Sequence, residues 1–151
     1  MRTQPNRKVA SHGVAWESTY GYVQAVQVDD TIYLSGQLSH DSEGNFVAPA
    51  ELDGAGRPVD FSQMEAQFRQ TYINAKILLA RFGATLDDVV EEGVFVVDVP
   101  SGFAAASKVR KEMYGTAIPQ CASSIFGVSG LAQPVQLVEV TFRAVINRRA
   151  S

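Results

Sequence analysis

The sequence predicts a single α/β (α+β) domain in which two helices cover one face of a mixed sheet. Strand-like and helix-like runs follow one another in the order β-β-α-β-α-β-β, and a hairpin followed by an αβ half favours that packing. The chain has 151 residues, of which 46% are hydrophobic, and a chain of this size builds one core. Its one cysteine, Cys121, excludes an intrachain disulfide, so packing has to stabilise the fold.

The first half of the chain predicts a hairpin and a helix. Residues 22–28 and 32–37 are rich in β-branched and aromatic residues, and the turn 29–31 between them predicts the hairpin. Over 62–82 apolar residues recur at spacings of three and four, which predicts an amphipathic helix. Gly83 follows it and tolerates the left-handed turn that ends many helices.

The second half predicts three strands, a helix and a capped turn. The apolar run VFVVDV predicts a strand that is buried on both faces. The next helix ends at Gly115, and two strands close the chain. In chain order the turn, strand, helix and last two strands are predicted at 85–88, 93–99, 101–114, 121–129 and 137–146.

We assign residues 1–151 to one domain, with two segments outside the regular pattern. Residues 1–19 are predicted to be an N-terminal extension. Residues 40–60 mix Gly, Pro, Asn and Asp, which predicts a long loop. A connection of that length is either a functional flap or a disordered surface excursion.

Charge and hydropathy exclude several classes of function. The net charge is −3 and the basic residues are scattered, which disfavours a nucleic-acid surface. No apolar run approaches the length of a membrane span, and the polar start lacks the core of a signal peptide. His12 and His40 form no metal-ligand pattern and are interpreted as surface residues. The single thiol suits a reducing compartment, so we expect a cytoplasmic protein.

The last strand carries polar groups on one face. Alternation places Val138, Val140 and Phe142 against the helices, and Leu137, Glu139, Thr141 and Arg143 on the other face. That second face has to meet solvent, a partner subunit or a site, because an unpaired buried charge is very costly. In the run YLSGQLS, Gly36 interrupts a strand, which indicates a bulge or a close backbone approach, and alternation places it opposite Tyr33 and Ser35.

Three separated segments carry a resemblance to a known family. They are the hairpin YGYVQAVQVDDTIYLSGQLS, the stretch ILLARFGATLDDVVEEGVFVVDV and the closing GVSGLAQPVQLVEVTF. Together they resemble the RidA/YjgF/L-PSP family in order over residues 22–145, with an enlarged loop before the first long helix. The resemblance implies a chorismate-mutase-like subunit that forms a homotrimer, with ligand clefts between neighbouring subunits.

The resemblance also implies a chemistry and a set of residues. The best-known members hydrolyse enamines and imines such as 2-aminoacrylate to 2-keto acids and ammonia without a cofactor. Glu139 matches the family's carboxylate, which orients and partly deprotonates a water molecule. The matching substrate-binding positions are Tyr22, Ser35 and Gly36, and the further substrate-binding candidates are Ser107, Ser123 and Ser124.

The sequence departs from the family at the arginine that grips the substrate carboxylate. Strand alignment puts Ser123 at its place, and counting from Pro119 puts Cys121 there. Arg143 shares the predicted face of Glu139 but lies about 13 Å along the strand, which is too far for a three-carbon substrate. It suits either a longer acid or, as we prefer, a pairing with a neighbouring subunit.

Three functions remain in view. We expect a cofactor-free imine or enamine deaminase that acts on a small metabolite at an intersubunit cleft. The alternative is a non-catalytic family member that binds a small metabolite there, and a ribonuclease is disfavoured by the acidic balance. Cys121 is interpreted as a partly buried thiol rather than a nucleophile. Trp16 and Tyr20 either shape the rim of the cleft or, more simply, pack as aromatic residues.

Overall fold

A computed structural model describes residues 6–146, which form one six-stranded sheet and three helices. The strands are β1 (Arg7–Ala10), β2 (Ala25–Val28), β3 (Thr31–Gln37), β4 (Val89–Val96), β5 (Ala122–Gly127) and β6 (Val138–Val145). The helices are α1 (Ala15–Tyr20), α2 (Met64–Ala80) and α3 (Val99–Tyr114), and a 3-10 turn spans Leu86–Asp88. The strands lie in the order β1-β2-β3-β6-β4-β5.

The sheet is mixed, as predicted. The pair β4 and β5 is parallel, and the other neighbouring pairs are antiparallel. From β2 onward the order of elements is the predicted β-β-α-β-α-β-β. The hairpin closes through the two-residue turn of Asp29 and Asp30, in which Asp29 adopts a positive φ of 53° that suits its short polar side chain.

Residues before the hairpin are more ordered than the predicted extension. Residues 1–5 lie outside the described part of the chain, but β1 pairs with β2 and α1 follows it. The Glu17 carboxylate accepts hydrogen bonds from the backbone N–H groups of His12, Gly13 and Val14 at 2.9–3.1 Å. Burial opposes ionisation of Glu17, but these donors outweigh it and lower its pKa. The charge therefore fixes the segment that leads into α1.

The helices α2 and α3 pack side by side on one face of the sheet. Their buried side chains, among them Phe68, Tyr72, Leu79 and Val109, form a single core with the inward residues of the strands. After both helices a glycine has a positive φ, 71° at Gly83 and 72° at Gly115, so the predicted left-handed turns are confirmed, although α2 itself ends at Ala80 rather than at residue 82. Within residues 6–146, none of the helices combines the length and hydrophobicity that a membrane crossing requires.

Strand β4 differs from its prediction in position and burial. It begins at Val89 and ends at Val96, because Glu91 and Glu92 pair with β6 rather than lying before the strand. Val94 and Val96 are buried against the helices, whereas Phe95 on the other face is half-buried. The prediction that both faces of this strand are buried is therefore wrong for the single chain.

A buried carboxylate connects the sheet to both helices. The Glu92 side chain is fully buried and forms an ion pair with Arg110 of α3. It also accepts hydrogen bonds from Tyr72 of α2 and Tyr114 of α3 at 2.7 Å and from Ser123 of β5 at 2.8 Å. Burial and the adjacent carboxylate raise the pKa of both tyrosines well above its usual value, so they act as donors.

The segment 40–60 is folded into two tight turns. Bridges join His40 to Phe46 and Leu52 to Pro58, and each turn is closed by an aspartate, Asp41 or Asp53, that accepts backbone N–H groups. The disordered alternative for this loop is wrong, and the functional alternative stays a prediction. The segment has a defined backbone pairing, and it lies outside the cleft described below.

We expect Glu92→Gln to lower the free energy of unfolding by about 3 kcal/mol or more, because it leaves the Arg110 charge without its buried partner. Glu91→Gln is the matched control. Glu91 is mostly exposed and its oxygen lies 3.9 Å from Arg143, so we expect a loss below about 1 kcal/mol. Urea unfolding of the two variants measures both values, and equal losses would contradict the assigned role of Glu92.

Candidate functional site

The predicted alternation of β6 holds within the strand. Val138, Val140 and Phe142 are buried against the helices, and Glu139 and Arg143 lie on the opposite, open face. The assignment of Leu137 to the open face is wrong. Leu137 precedes β6, so the alternation of that strand does not apply to it, and its side chain is fully buried. Its backbone N–H donates to Oε1 of the buried Gln67 side chain.

Gly36 sits at a bulge in β3. Leu34 pairs with Phe142 and Gln37 with Val140, so β3 has one residue more than β6 over this stretch. The predicted bulge and close approach are both confirmed, but the predicted face is wrong. The extra residue turns Gly36 towards Glu139, and a Cβ at this position would lie 2.8 Å from the Glu139 Cγ and closer still to its carboxylate. Only glycine leaves room for the Glu139 side chain here.

The Glu139 carboxylate is held by an amide that the sequence did not predict. The Gln136 Nε2 donates to Glu139 Oε1 at 3.0 Å and to the Val138 carbonyl at 3.2 Å. Gln136 is 2% exposed, so this donor is fixed by packing. Glu139 itself is half-buried, with one carboxylate oxygen tied to Gln136 and the group facing a cavity.

We call this cavity the Glu139 cleft. It has a volume of about 680 Å³, whereas two other cavities of the described residues have volumes of about 330 and 400 Å³. Its lining is mostly apolar and aromatic. Its lining residues are Trp16, Thr19, Tyr20, Tyr22, Ser35, Gly36, Leu38, Ala132, Gln133 and Glu139. Four predicted site residues, Tyr22, Ser35, Gly36 and Glu139, are thus brought together in one chain.

A chain of buried amides fixes the Tyr22 hydroxyl. His12 Nε2 lies 2.8 Å from Gln37 Oε1, Gln37 Nε2 donates to Gln24 Oε1 at 3.0 Å, and Gln24 Nε2 donates to the Tyr22 hydroxyl at 3.0 Å. Because the Tyr22 oxygen accepts from Gln24, its own proton is free to point into the cleft. Burial raises the pKa of Tyr22, and Glu17 and Glu139 raise it further, so this proton stays in place at neutral pH.

The supporting glutamines left a signal in the sequence. Gln24, Gln37 and Gln136 stand in the runs YVQAV, SGQLS and PVQLV, each inside or beside a strand-like apolar stretch. All three are at most 2% exposed. A buried amide needs hydrogen-bond partners, so such positions indicate a polar network. The runs did not reveal which partners those were.

The N-terminal segment forms one wall of the cleft. Trp16 and Tyr20 line it, while His40 is 2% exposed and packs edge-on against Trp16 and His12 with ring centroids 5.1 and 4.9 Å apart. The interpretation of both histidines as surface residues is wrong, since His12 is half-buried and bound to Gln37. Within residues 6–146 no group of three or more His, Cys, Asp or Glu is arranged to hold a metal ion.

The remaining candidate residues lie outside this lining. The Ser107 hydroxyl donates to the Phe103 carbonyl on the exposed side of α3. The Ser123 hydroxyl is bound to Glu92, and Ser124 is exposed on β5. Their role in binding a substrate stays a prediction. Cys121 is half-buried, as predicted, and Arg110 donates to its sulfur at 3.4 Å.

Arg143 is engaged within its own chain. Its guanidinium lies 3.9 Å from Glu91 and stacks over the Tyr33 ring at 5.3 Å from the centroid. The preferred pairing with a neighbouring subunit therefore has a nearer alternative, because a partner is present on the same sheet face. None of Arg143, Glu91 and Tyr33 lines the cleft.

The chain is similar to a known family in sequence and in structure. The sequence profile of the family described as Endoribonuclease L-PSP matches residues 13–146. A 2-iminobutanoate/2-iminopropanoate deaminase from Dermatophagoides farinae is 30% identical over 140 residues, covering 93% of this chain and 97% of the relative. A Mycobacterium tuberculosis structure described as a member of the YjgF/YER057c/UK114 family superposes with a TM-score of 0.74 at 25% identity, covering 93% and 100% of the two chains. A putative endoribonuclease from Thermotoga maritima gives a TM-score of 0.69 at 26% identity, covering 97% and 99%.

We expect Gly36→Ala to move the Glu139 side chain away from Gln136 without unfolding the protein. The added Cβ clashes with the end of a flexible side chain rather than with backbone, so the free energy of unfolding should change by about 1 kcal/mol or less. A crystal structure of the variant measures the displacement, and thermal unfolding measures stability. Gly54→Ala is the control, because a Cβ there meets nothing within 4 Å. An unmoved Glu139 would contradict the proposed contact.

Proposed function

The chain belongs to the Endoribonuclease L-PSP family, and we propose that it is a cofactor-free hydrolase that converts a small imine or enamine to a carbonyl compound and ammonia. Three relatives named 2-iminobutanoate/2-iminopropanoate deaminase, at 27–30% identity, support this type of chemistry. The observation that carries the proposal is the Glu139 carboxylate, which is held by Gln136 in a cleft that the protonated Tyr22 also lines.

Hydrolysis of an imine needs one group that handles water and one that holds the substrate. Water adds to the electrophilic carbon, the C=N π electrons move to nitrogen, and the water proton passes to Glu139. For an imine that enters protonated, return of that proton to nitrogen turns the amino group into leaving ammonia. The hydroxyl oxygen forms the C=O bond as the C–N bond breaks, and the hydroxyl proton passes to Glu139 and then to ammonia, which leaves as NH₄⁺. The Tyr22 hydroxyl, fixed as a donor by Gln24, stabilises the oxygen of the intermediate.

We further propose that the cleft is completed in a homotrimer. The open sheet face carries large exposed side chains, with Tyr33 45% and Phe126 50% exposed, and Phe126 stacks on Phe95 at 5.5 Å. Exposed aromatic groups clustered on one face favour burial against another copy. Such an assembly is also the arrangement in which Ser107, Ser123 and Ser124 of a neighbouring copy would have access to a ligand.

Two other functions are weaker. A binding-only protein is favoured by one observation: the described residues that line the cleft include no cation to hold the carboxylate of an imino acid. Ribonuclease activity is disfavoured, since the net charge is −3 and the cleft carries a carboxylate that repels phosphate. Ammonia release from an enzymatically generated imine separates the catalytic function from both.

We expect Glu139→Gln to lower the rate of imine hydrolysis at least about 100-fold, because an amide cannot accept the proton of water. Imines are generated in place by an amino-acid oxidase or an amine oxidase, and semicarbazide traps the imine that escapes the enzyme. Glu91→Gln removes the same charge from the same sheet face outside the cleft and should keep full activity. Light scattering measures the molar mass of each variant, which should equal that of three chains. Undiminished turnover in Glu139→Gln would rule out the mechanism.

We expect Gln136→Met to lower kcat about tenfold or more with little change in KM, because it leaves the carboxylate in place but free to rotate. Gln70→Met is the matched control. Gln70 is half-buried and donates to His40 and Asn74, away from the cleft lining, so its replacement should cost stability but not kcat. Steady-state kinetics beside thermal unfolding measure both, and equal losses of kcat would assign Gln136 a packing role only.

A further inference from the structure

The charge in the lining of the Glu139 cleft is negative. Of the described residues that line it, Glu139 is the only one that is charged at neutral pH, and none is Lys, Arg or His. Glu17 adds a second negative charge behind the wall, where it acts on Tyr22 together with Glu139. A small anion that enters this space meets the field of two carboxylates with no opposing cation in the lining.

Two candidate positive groups near the cleft, Arg143 and His12, are occupied and mostly uncharged respectively, while Arg81, whose charge also lowers the pKa of His12, lines a different cavity. Arg143 lies on the strand of Glu139, but about 13 Å along it, and its guanidinium contacts Glu91 and the Tyr33 ring. His12 lies behind the Tyr22 wall, and burial lowers its pKa below the ordinary value of 6.5, so it is mostly neutral at pH 7. Neither group offsets Glu139.

The walls favour a cation over an anion. Trp16, Tyr20 and Tyr22 contribute aromatic rings to the lining, and the faces of such rings attract an organic cation. Leu38 and Ala132 provide the apolar remainder. An organic cation with a short hydrocarbon chain would bury its chain against these groups and direct its nitrogen to Glu139.

We propose that the ligand of this cleft is a small imine without a carboxylate, recognised as its iminium cation. This inference rests on the proposed function and specifies its substrate class. The reaction is R₂C=NH₂⁺ + H₂O → R₂C=O + NH₄⁺, in which the water oxygen bonds to carbon and the C–N bond breaks. Reactions that oxidise primary amines form such imines, whereas oxidation or dehydration of amino acids forms the carboxylated ones.

A tryptophan in the cleft provides an intrinsic fluorescence signal for ligand binding. Trp16 is the only tryptophan of the chain and lines the cleft, so the intrinsic fluorescence of that residue responds to occupancy. Stable probes of equal chain length isolate the charge: butylammonium for the cation, butanoate for the anion and 1-butanol for the neutral reference. Titration of the purified protein with each probe gives three binding constants without any turnover.

We expect butylammonium to bind at least about tenfold more tightly than butanoate, and Glu139→Gln to remove that preference. Glu91→Gln should keep it, since Glu91 lies outside the cleft. Equal or tighter binding of butanoate would overturn the proposal and indicate that a neighbouring copy supplies a cation. A fluorescence response to neither ion would overturn it as well.

Turnover separates this inference from the function on which it rests. Imines made by an amine oxidase should be hydrolysed at least about tenfold faster than the 2-imino acids of equal length made by an amino-acid oxidase. Faster hydrolysis of the imino acids would contradict the proposed substrate class but not the deaminase function. A preference for butylammonium without hydrolysis of any imine would contradict the deaminase function but not the proposed ligand class.

Discussion

The buried charge of Glu92 is the interaction on which the rest of the structure depends. Its carboxylate accepts from Tyr72, Arg110, Tyr114 and Ser123, which belong to both long helices and to the edge strand β5. A carboxylate inside a core is tolerated only when its partners satisfy it, so these elements have to meet at one point. That condition fixes the helix layer over β4 and leaves the other face of the sheet open for the site.

The two faces of the sheet use carboxylates in opposite ways. Glu92 faces the helices and is neutralised by a guanidinium, which makes it a structural group. Glu139 faces the open side and receives one amide hydrogen bond, so its charge remains available to a ligand. Successive side chains of a strand point to opposite faces of the sheet. The neighbouring strands β4 and β6 can therefore place a stabilising charge on one face and a functional charge on the other.

The cleft is built around fixed donors rather than around charges. Gln136 orients Glu139, and the series His12, Gln37 and Gln24 orients Tyr22. Amides suit this role because they donate strongly without adding a charge that would compete with the ligand. This chain belongs to a family with deaminase-named relatives, yet the described lining of its cleft contains no cation. Its substrate is therefore expected to differ from theirs in charge rather than in chemistry.

By itself the sequence determined the elements that depend on local chemistry. The order of strands and helices from β2 onward, the ends at Gly83 and Gly115 and the inward face of β6 follow from periodicity and turn residues, which act over a few positions. The resemblance to the family added Tyr22 and Glu139 as site residues, and the structure brings them into one cleft.

Only the tertiary structure decided the features that depend on distant partners. The burial of Glu92 needs an arginine 18 residues away, the role of Gln37 needs a histidine 25 residues away, and neither distance leaves a local pattern. The bulge in β3 reversed the predicted face of Gly36, because one inserted residue shifts the side-chain period relative to the facing strand. Contacts across the sheet, which no window of sequence contains, therefore made the strand of Glu139 into the wall of a site.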